Sequence, residues 1–357
     1  MLYNDLEKGI YIIHENPEWI PPFAKAFARA GVDFREIILT KGALDVSAPP
    51  PQGVFWSRLS ASSHTRDNAT SKDYGRALLL WLESYGRRVI NGSSVLELEV
   101  SKVRQALLLD AHFKARGEAY KTPRTFAVFG RDSLLEVARQ FQGAFITKHN
   151  QGGKGLGVRL FENAKEFRAY VDSNEFALPI DGITLLQEYV ESKQSFITRA
   201  EFIGGRFHYA VRVDTSSGGF ELCPADACQV EIGDLGVDSR GVDSAGAGAD
   251  SPPARPALAG AACAVGAGDK FSLRGDISAD SPLIRSLEAF LERHKVLVAG
   301  IEFIESVGGE VVVYDINTNT NYNSTLESKL RASGGVGAAD RLVGFLADEL
   351  AGLGGKG

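Results

Sequence analysis

Cysteine is scarce: Cys223, Cys228 and Cys263 are the three in 357 residues. An odd count leaves one thiol unpaired, which excludes a disulfide framework as the staple of the fold. Cys223 and Cys228 are spaced too widely for a CxxC pair and no histidine cluster lies nearby, so structural thiols are expected rather than a zinc site. Long apolar runs are also missing. None approaches the roughly 20 residues that span a bilayer, and no membrane partner is expected. The first residues, with Asp5 and Glu7 ahead of a short strand, lack the basic and apolar regions of a signal peptide, which predicts a cytoplasmic protein. Positive charge is not in excess either. With 39 Lys and Arg against 45 Asp and Glu, the formal charge of −6 gives no general attraction to nucleic acid.

What remains is an ordinary globular composition, 44% apolar and 24% charged, in a chain long enough for two or three domains that each bury a core. Residues 1–92 alternate strand and helix signals. Ile10 to Ile13 reads as a buried strand, Pro22 to Ala30 as a helix closed by Gly31, and Glu36 to Leu39 as a second strand. A third strand begins at Gly53, a helix spans Tyr74 to Tyr85, and Arg88 to Ile90 is a strand. This is a small open α/β sheet, in which ligands sit at the carboxyl ends of the strands. The loop after the third strand carries Arg58, Ser60, Ser62, Ser63, His64, Thr65 and Arg66, and reads either as a solvated loop or as a substrate loop.

From Ser93 the pattern changes. Ser101 to His112 is helical by spacing; Phe126 to Val128, Ala144 to Lys148 and Val158 to Leu160 are strands, with helices at Ser133 to Gln140 and Ala164 to Val171. Thr184 to Val190 is a strand running into a connector, and Thr198 to Ile203 with Arg206 to Asp214 forms a hairpin around Gly204-Gly205. Residues 233–269 are nearly all Gly, Ala, Ser, Asp and Pro, and read as a flexible surface insertion. A helix over Pro282 to Lys295, strands over Val296 to Phe303 and Glu310 to Ile316 around Gly308-Gly309, and a helix near Gly337 to Leu350 complete the chain. The expected division is 1–92, 93–187 as a central lid, and 188–357.

Three groups of residues carry chemistry. In Asp315-Ile316-Asn317 the two-residue period of a strand puts both polar side chains on one face. The turn at Gly308-Gly309 lays Glu302 opposite Asp315 across an antiparallel pair. An acid amid Val-Ala-Gly-Ile-Glu-Phe-Ile is costly to bury unless paired or metal-bound, and hard oxygen ligands suit Mg²⁺. The second group is Gln151-Gly152-Gly153-Lys154-Gly155-Leu156-Gly157-Val158. It joins two strands, so it is neither a Rossmann nor a Walker loop, both of which enter a helix. It reads as a turn or as a loop whose backbone N–H groups fold over phosphate. Lys148 on the preceding strand and Lys102 at a helix start are either snorkelling surface lysines or the point charges that a triphosphate needs. The third group, Gln187-Glu188-Tyr189-Val190, is a strand end or a connector whose backbone pairs with adenine.

In this order and spacing the motifs resemble the ATP-grasp superfamily, specifically carboxylate–amine ligases similar to glutathione synthetase and the ribosomal-protein glutamate ligases. The resemblance runs from about Arg88 to Asn323 and implies an ATP-grasp fold, of α/β (α+β) class, behind an N-terminal open α/β domain. It implies that Lys102, Lys148 and the glycine loop, with Gly152, Gly153, Lys154, Gly155 and Gly157, bind ATP phosphates. Gln187, Glu188, Tyr189 and Val190 would hold adenine. Glu302, Asp315 and Asn317 would ligate two Mg²⁺ ions, for which Mn²⁺ could substitute. Arg199 and Arg212 would stabilise the transferred phosphate. Ile197 stands where these ligases place an acid for the ribose, and Glu191 is the substitute; the segment after Arg212 also departs from the family. The implied reaction joins a carboxylate, small or peptidic, to an amine such as an amino acid, giving ADP and phosphate through an acyl phosphate. A small-molecule kinase and a non-catalytic ATP-binding module are the alternatives, and a homo-oligomer is compatible with any of them.

Overall fold

The computed structural model describes residues 2–153, 155, 157–216 and 270–354. The three cysteines, the insertion 233–269 and Lys154 lie outside the described residues. The first sheet is parallel, in the order β2-β1-β3-β4, with β1 at Gly9–His14, β2 at Arg35–Ile38, β3 at Gly53–Arg58 and β4 at Arg88–Ile90. Ile10 to Ile13 and Val54 to Trp56 are buried throughout, as expected of parallel strands covered on both faces. Helix α1 (Pro21–Ala30) starts on two prolines and ends at Gly31, whose φ of 63° is the left-handed cap that glycine tolerates. Helix α2 (Ser71–Ser84) returns the chain to β4.

A second, antiparallel sheet has the order β5-β8-β6-β7. It comprises β5 (Thr125–Phe129), β6 (Phe145–His149), β7 (Arg159–Phe161) and β8 (Ile183–Glu188). Helices α5 (Arg131–Ala138) and α6 (Ala164–Val171) cover it, closing a core of Val128, Leu134, Phe145, Phe161, Phe167 and Leu186. The third sheet, also antiparallel, runs β11-β10-β9-β12-β13. Its strands are β9 (Phe196–Ile203), β10 (Arg206–Asp214), β11 (Phe271–Leu273), β12 (Val298–Glu305) and β13 (Val311–Asn317).

The two faces of the third sheet are packed differently. On one lie α4 (Lys102–Arg116) and α7 (Pro282–Arg293), burying Leu109, Phe113, Leu287 and Phe290 against Phe202, Ile301 and Ile316. Helix α3 (Ser93–Glu99) joins the same core through Val95 and Leu98, so α3 and α4, grouped with the lid from sequence, pack on the third sheet instead. The other face shares a core with the first sheet through α9 (Ala338–Gly352): Leu342 and Leu346 pack with Ile10, Trp56, Val211 and Val298. Arg88 grips Glu349 of α9 through two bonds of 2.6 Å. Helix α8 (Ser324–Ala332), like α3 and β11, has no counterpart in the sequence reading. No helix among the described residues is long and apolar enough to cross a membrane.

Candidate active site

The second and third sheets and the loops of the first enclose a cleft of ≈ 380 Å³. Its acidic wall is the β12–β13 pair. The register sets Glu302 opposite Asp315 and Gly300 opposite Asn317, while Ile316 turns into the core. Strand β9 lies on the far side of β12 and sets Arg199 opposite Glu302. The Arg199 guanidinium is buried, bonding Glu201 at 2.7 Å, Glu302 at 3.3 Å and the Thr320 hydroxyl. Gly300 makes room for it, since a Cβ there would lie 2.5 Å from Arg199 Nε.

The basic wall faces this set. Lys102 opens α4, where the Ser101 hydroxyl accepts the Arg104 N–H at 3.2 Å as an N-cap. Its ammonium donates to Asp315. Lys148, next to last in β6, holds its ammonium 4.9 Å from the centre of the Tyr314 ring. Burial lowers the Lys148 pKa to about 8; Asp315 and Glu302 oppose that shift, and Lys102 adds to it. Burial pushes Glu302 up, with the neighbouring Asp315 acting the same way, and burial likewise raises Glu99 on the same wall. For Asp315 burial acts upward, but Lys102 and Lys148 outweigh it and hold the carboxyl below its ordinary range.

Part of the glycine loop reaches the cleft. Gly152, Gly153 and Gly155 line it, whereas Gly157 turns away, its carbonyl accepting from the Thr147 hydroxyl at 2.7 Å. Gly157 has a φ of 71°, and a Cβ on it would lie 2.2 Å from the His149 ring, so both backbone and space require glycine there. At the far end Gln187, Glu188, Tyr189 and Val190 line the wall. Glu188 is tied down by the Arg124 N–H at 2.8 Å and Gln187 by the Thr125 hydroxyl at 2.8 Å. Ile197 is buried at the wall, while the Glu191 side chain is exposed outside it.

Arg212 is not brought to the cleft. A bulge between Phe207 and Tyr209 shifts the β10 register, so Arg212 pairs with Thr198 and Val211 with Arg199. The two arginines therefore sit on opposite faces of the sheet. Arg212 is half-exposed over the Phe196 ring, 4.4 Å from its centre.

Several wall residues were not anticipated: Trp19, Glu99, Tyr314, Asn319 and Asn321. The asparagines carry a visible signal, the two-residue alternation Asn317, Asn319, Asn321, Asn323. Ser60 and Ser62, from the loop after β3, complete this end, and Arg58, Ser60, Ser62 and Ser63 are buried, unlike a solvated loop. Around it the side-chain atoms Glu15 Oε2, Ser63 Oγ, His64 Nδ1, Arg66 Nε and Gln151 Nε2 are buried without a hydrogen-bond partner.

No cluster of three or more His, Cys, Asp or Glu suited to a metal occurs among the described residues. Two carboxylates and an amide facing two lysines nevertheless fit Mg²⁺ arriving with phosphates, because Mg²⁺ is usually held by one or two carboxylates plus substrate oxygens.

This cleft, between two antiparallel sheets behind an open parallel sheet, belongs to the ATP-grasp fold. Solved structures show the same architecture. The ATP-grasp RimK domain protein from Sphaerobacter thermophilus DSM 20745 has a TM-score of 0.55 at 16% identity, over 94% of this chain and 99% of that one. The ATP-grasp ligase PsnB, complexed with a phosphomimetic variant of its minimal precursor, Mg and ADP, has a TM-score of 0.56 at 13% identity, over 96% and 99%. D-alanyl-alanine synthetase A from Vibrio cholerae O1 has a TM-score of 0.58 at 11% identity, over 97% and 99%. No family model and no curated protein matches the sequence.

Proposed function

We propose that the protein is an ATP-dependent ligase that joins a carboxylate to an amine through an acyl phosphate, releasing ADP and phosphate. The observation that carries this reading is the convergence of Lys102 and Lys148 on Glu302, Asp315 and Asn317 within one cleft. The similar proteins support it: one is a ligase solved with Mg and ADP, another a synthetase of D-alanyl-alanine. In this reading Gln187 to Val190 hold the adenine, while Lys102, Lys148 and the glycine loop take the phosphates. Glu302, Asp315 and Asn317 hold Mg²⁺, which when bound neutralises phosphate oxygens.

Phosphoryl transfer asks a protein mainly for positioning and charge stabilisation. The carboxylate substrate attacks the γ-phosphorus of ATP, ADP leaves, and Arg199 stabilises charge on the phosphoryl oxygens. An amine then attacks the acyl carbon and expels phosphate. Ser60, Ser62, Trp19, Asn319 and Asn321 form the end where the two substrates meet. Arg212 lies on the other face of its sheet and has no part in this scheme.

Phosphate release from Mg-ATP, measured across pairs of carboxylates and amines, tests the reading. ADP and phosphate should form at an appreciable rate when both partners are present. Release of AMP and pyrophosphate would exclude the acyl-phosphate route, and a phosphorylated hydroxyl formed without amine would identify a kinase.

A further inference from the structure

We infer that Arg58 is a positioning residue for the metal end of the cleft, acting through Asn319 on the Asn317 side chain; the inference rests on the magnesium–nucleotide reading above. Arg58 is the last residue of β3, in the first sheet, and its side chain is fully buried. The guanidinium lies over Phe23 at 4.4 Å, Trp56 at 5.0 Å and Trp19 at 5.6 Å. Its polar edges reach across to the segment that follows β13. Nε donates to Asn319 Oδ1 at 2.9 Å, and one terminal nitrogen donates to the Thr320 carbonyl at 3.1 Å and Asn321 Oδ1 at 2.7 Å.

The next link is the backbone of Asn319, whose N–H donates to Asn317 Oδ1 at 3.0 Å. An amide oxygen has two lone pairs. One of them is taken by this bond, which fixes the orientation of the Asn317 side chain and leaves the other for a cation. The segment is also held from other directions. Thr318 donates from its N–H and hydroxyl to Glu99 at 2.8 and 2.9 Å, and the Thr320 hydroxyl accepts from Arg199. Two ties come from the first sheet: Asn91, just after β4, donates to the Thr318 carbonyl at 3.0 Å, and Arg58 reaches residues 319–321. A flat fork of donors matches adjacent acceptors from one buried position, which the single ammonium of lysine cannot do. Aromatic packing alone would be served by an apolar side chain. The three polar bonds therefore point to placement of residues 319–321 as the task of the charge.

Partners that orient a metal ligand typically change metal affinity by about 10–100-fold when removed. Arg58→Met and Asn319→Ala should accordingly raise the Mg²⁺ concentration for half-maximal ADP binding by about tenfold or more. ADP binding in EDTA should stay within about twofold of wild type, because neither side chain is assigned to the nucleotide. Arg58→Lys should fall between. Calorimetric titration of ADP with and without Mg²⁺, with thermal unfolding of each variant as a control, reads all three. Should Arg58→Met fail to fold, Arg58→Lys and Asn319→Ala decide. An unchanged Mg²⁺ midpoint in those two, or an equal loss of metal-free ADP binding, overturns the role given to Arg58. Absence of Mg²⁺-linked ADP binding in the wild-type protein overturns the nucleotide reading and this inference together.

Discussion

Burial makes the Lys148 charge easier to remove than that of an ordinary lysine. Its pKa, lowered from 10.5 to about 8, lies below that of an exposed lysine in the unfolded chain. Between about pH 8 and 10.5 the unfolded chain therefore binds more protons than the folded one, and stability from this group rises with pH across that window. The penalty is fully present below pH 8 and amounts to at most about 3 kcal/mol. Bound phosphate reverses the balance by favouring the ammonium. Nucleotide binding near and above pH 8 should take up a proton, and affinity should decline as pH rises past that point. The dependence of binding enthalpy on buffer ionisation heat measures the uptake, and Lys148→Met should abolish it. The acid and amide of the facing wall were legible in the sequence because strand periodicity alone places Asp315 and Asn317 together. Arg58 was legible only as a member of a polar loop, since nothing local to it announces acceptors more than 260 residues away.

At the scale of elements, the β12–β13 pair is the part that sequence describes best. Its pattern of Asp315, Ile316 and Asn317 is right about the faces, but the turn alone would set Glu302 opposite Tyr314; an irregularity between Glu302 and Phe303 shifts the register by one and brings Glu302 opposite Asp315 with Ile316 in the core. The β9–β10 hairpin carries an equally clear turn, yet its bulge is invisible in the residue pattern. One extra residue around His208 reverses which face every later side chain takes, and Arg212 changes sides. Helix α3 is too short, and β11 too brief, for periodicity to mark them. The close approach of Arg199 to β12 gives a direct test. Gly300→Ala would place a methyl group 2.5 Å from Arg199 Nε and drive the guanidinium from its bonds with Glu201 and Glu302. Turnover should fall on the order of a hundredfold, the cost of one lost electrostatic donor, while far-ultraviolet circular dichroism stays close to wild type. A variant with full activity would show that Arg199 has slack that this packing does not reveal.

Across the whole molecule, α9 is one of several elements that join the first and third sheets; α3, with Val95 and Leu98 in the core of the third sheet and Leu96 in that of the first, is another. Apolar residues of α9 sit in the same cluster as Ile10, Ile12, Val54 and Trp56 from β1 and β3 and Val211 and Val298 from the third sheet, and the Arg88–Glu349 pair anchors its end. A chain ending at Val336 lacks that helix and should not hold the first sheet on its own. Limited proteolysis is expected to cut such a chain within residues 9–90 at protease levels that leave the full-length protein intact, and equal resistance would show the first sheet to be self-sufficient. The same packing governs the order of events during synthesis. Ile10 leaves the ribosome roughly 330 residues before Leu342, and at the usual elongation rate that interval is on the order of half a minute. Throughout it, α1 covers that face of the earliest sheet only in part, through residues such as Phe23 against Trp56, and the remaining apolar surface waits for the last helix.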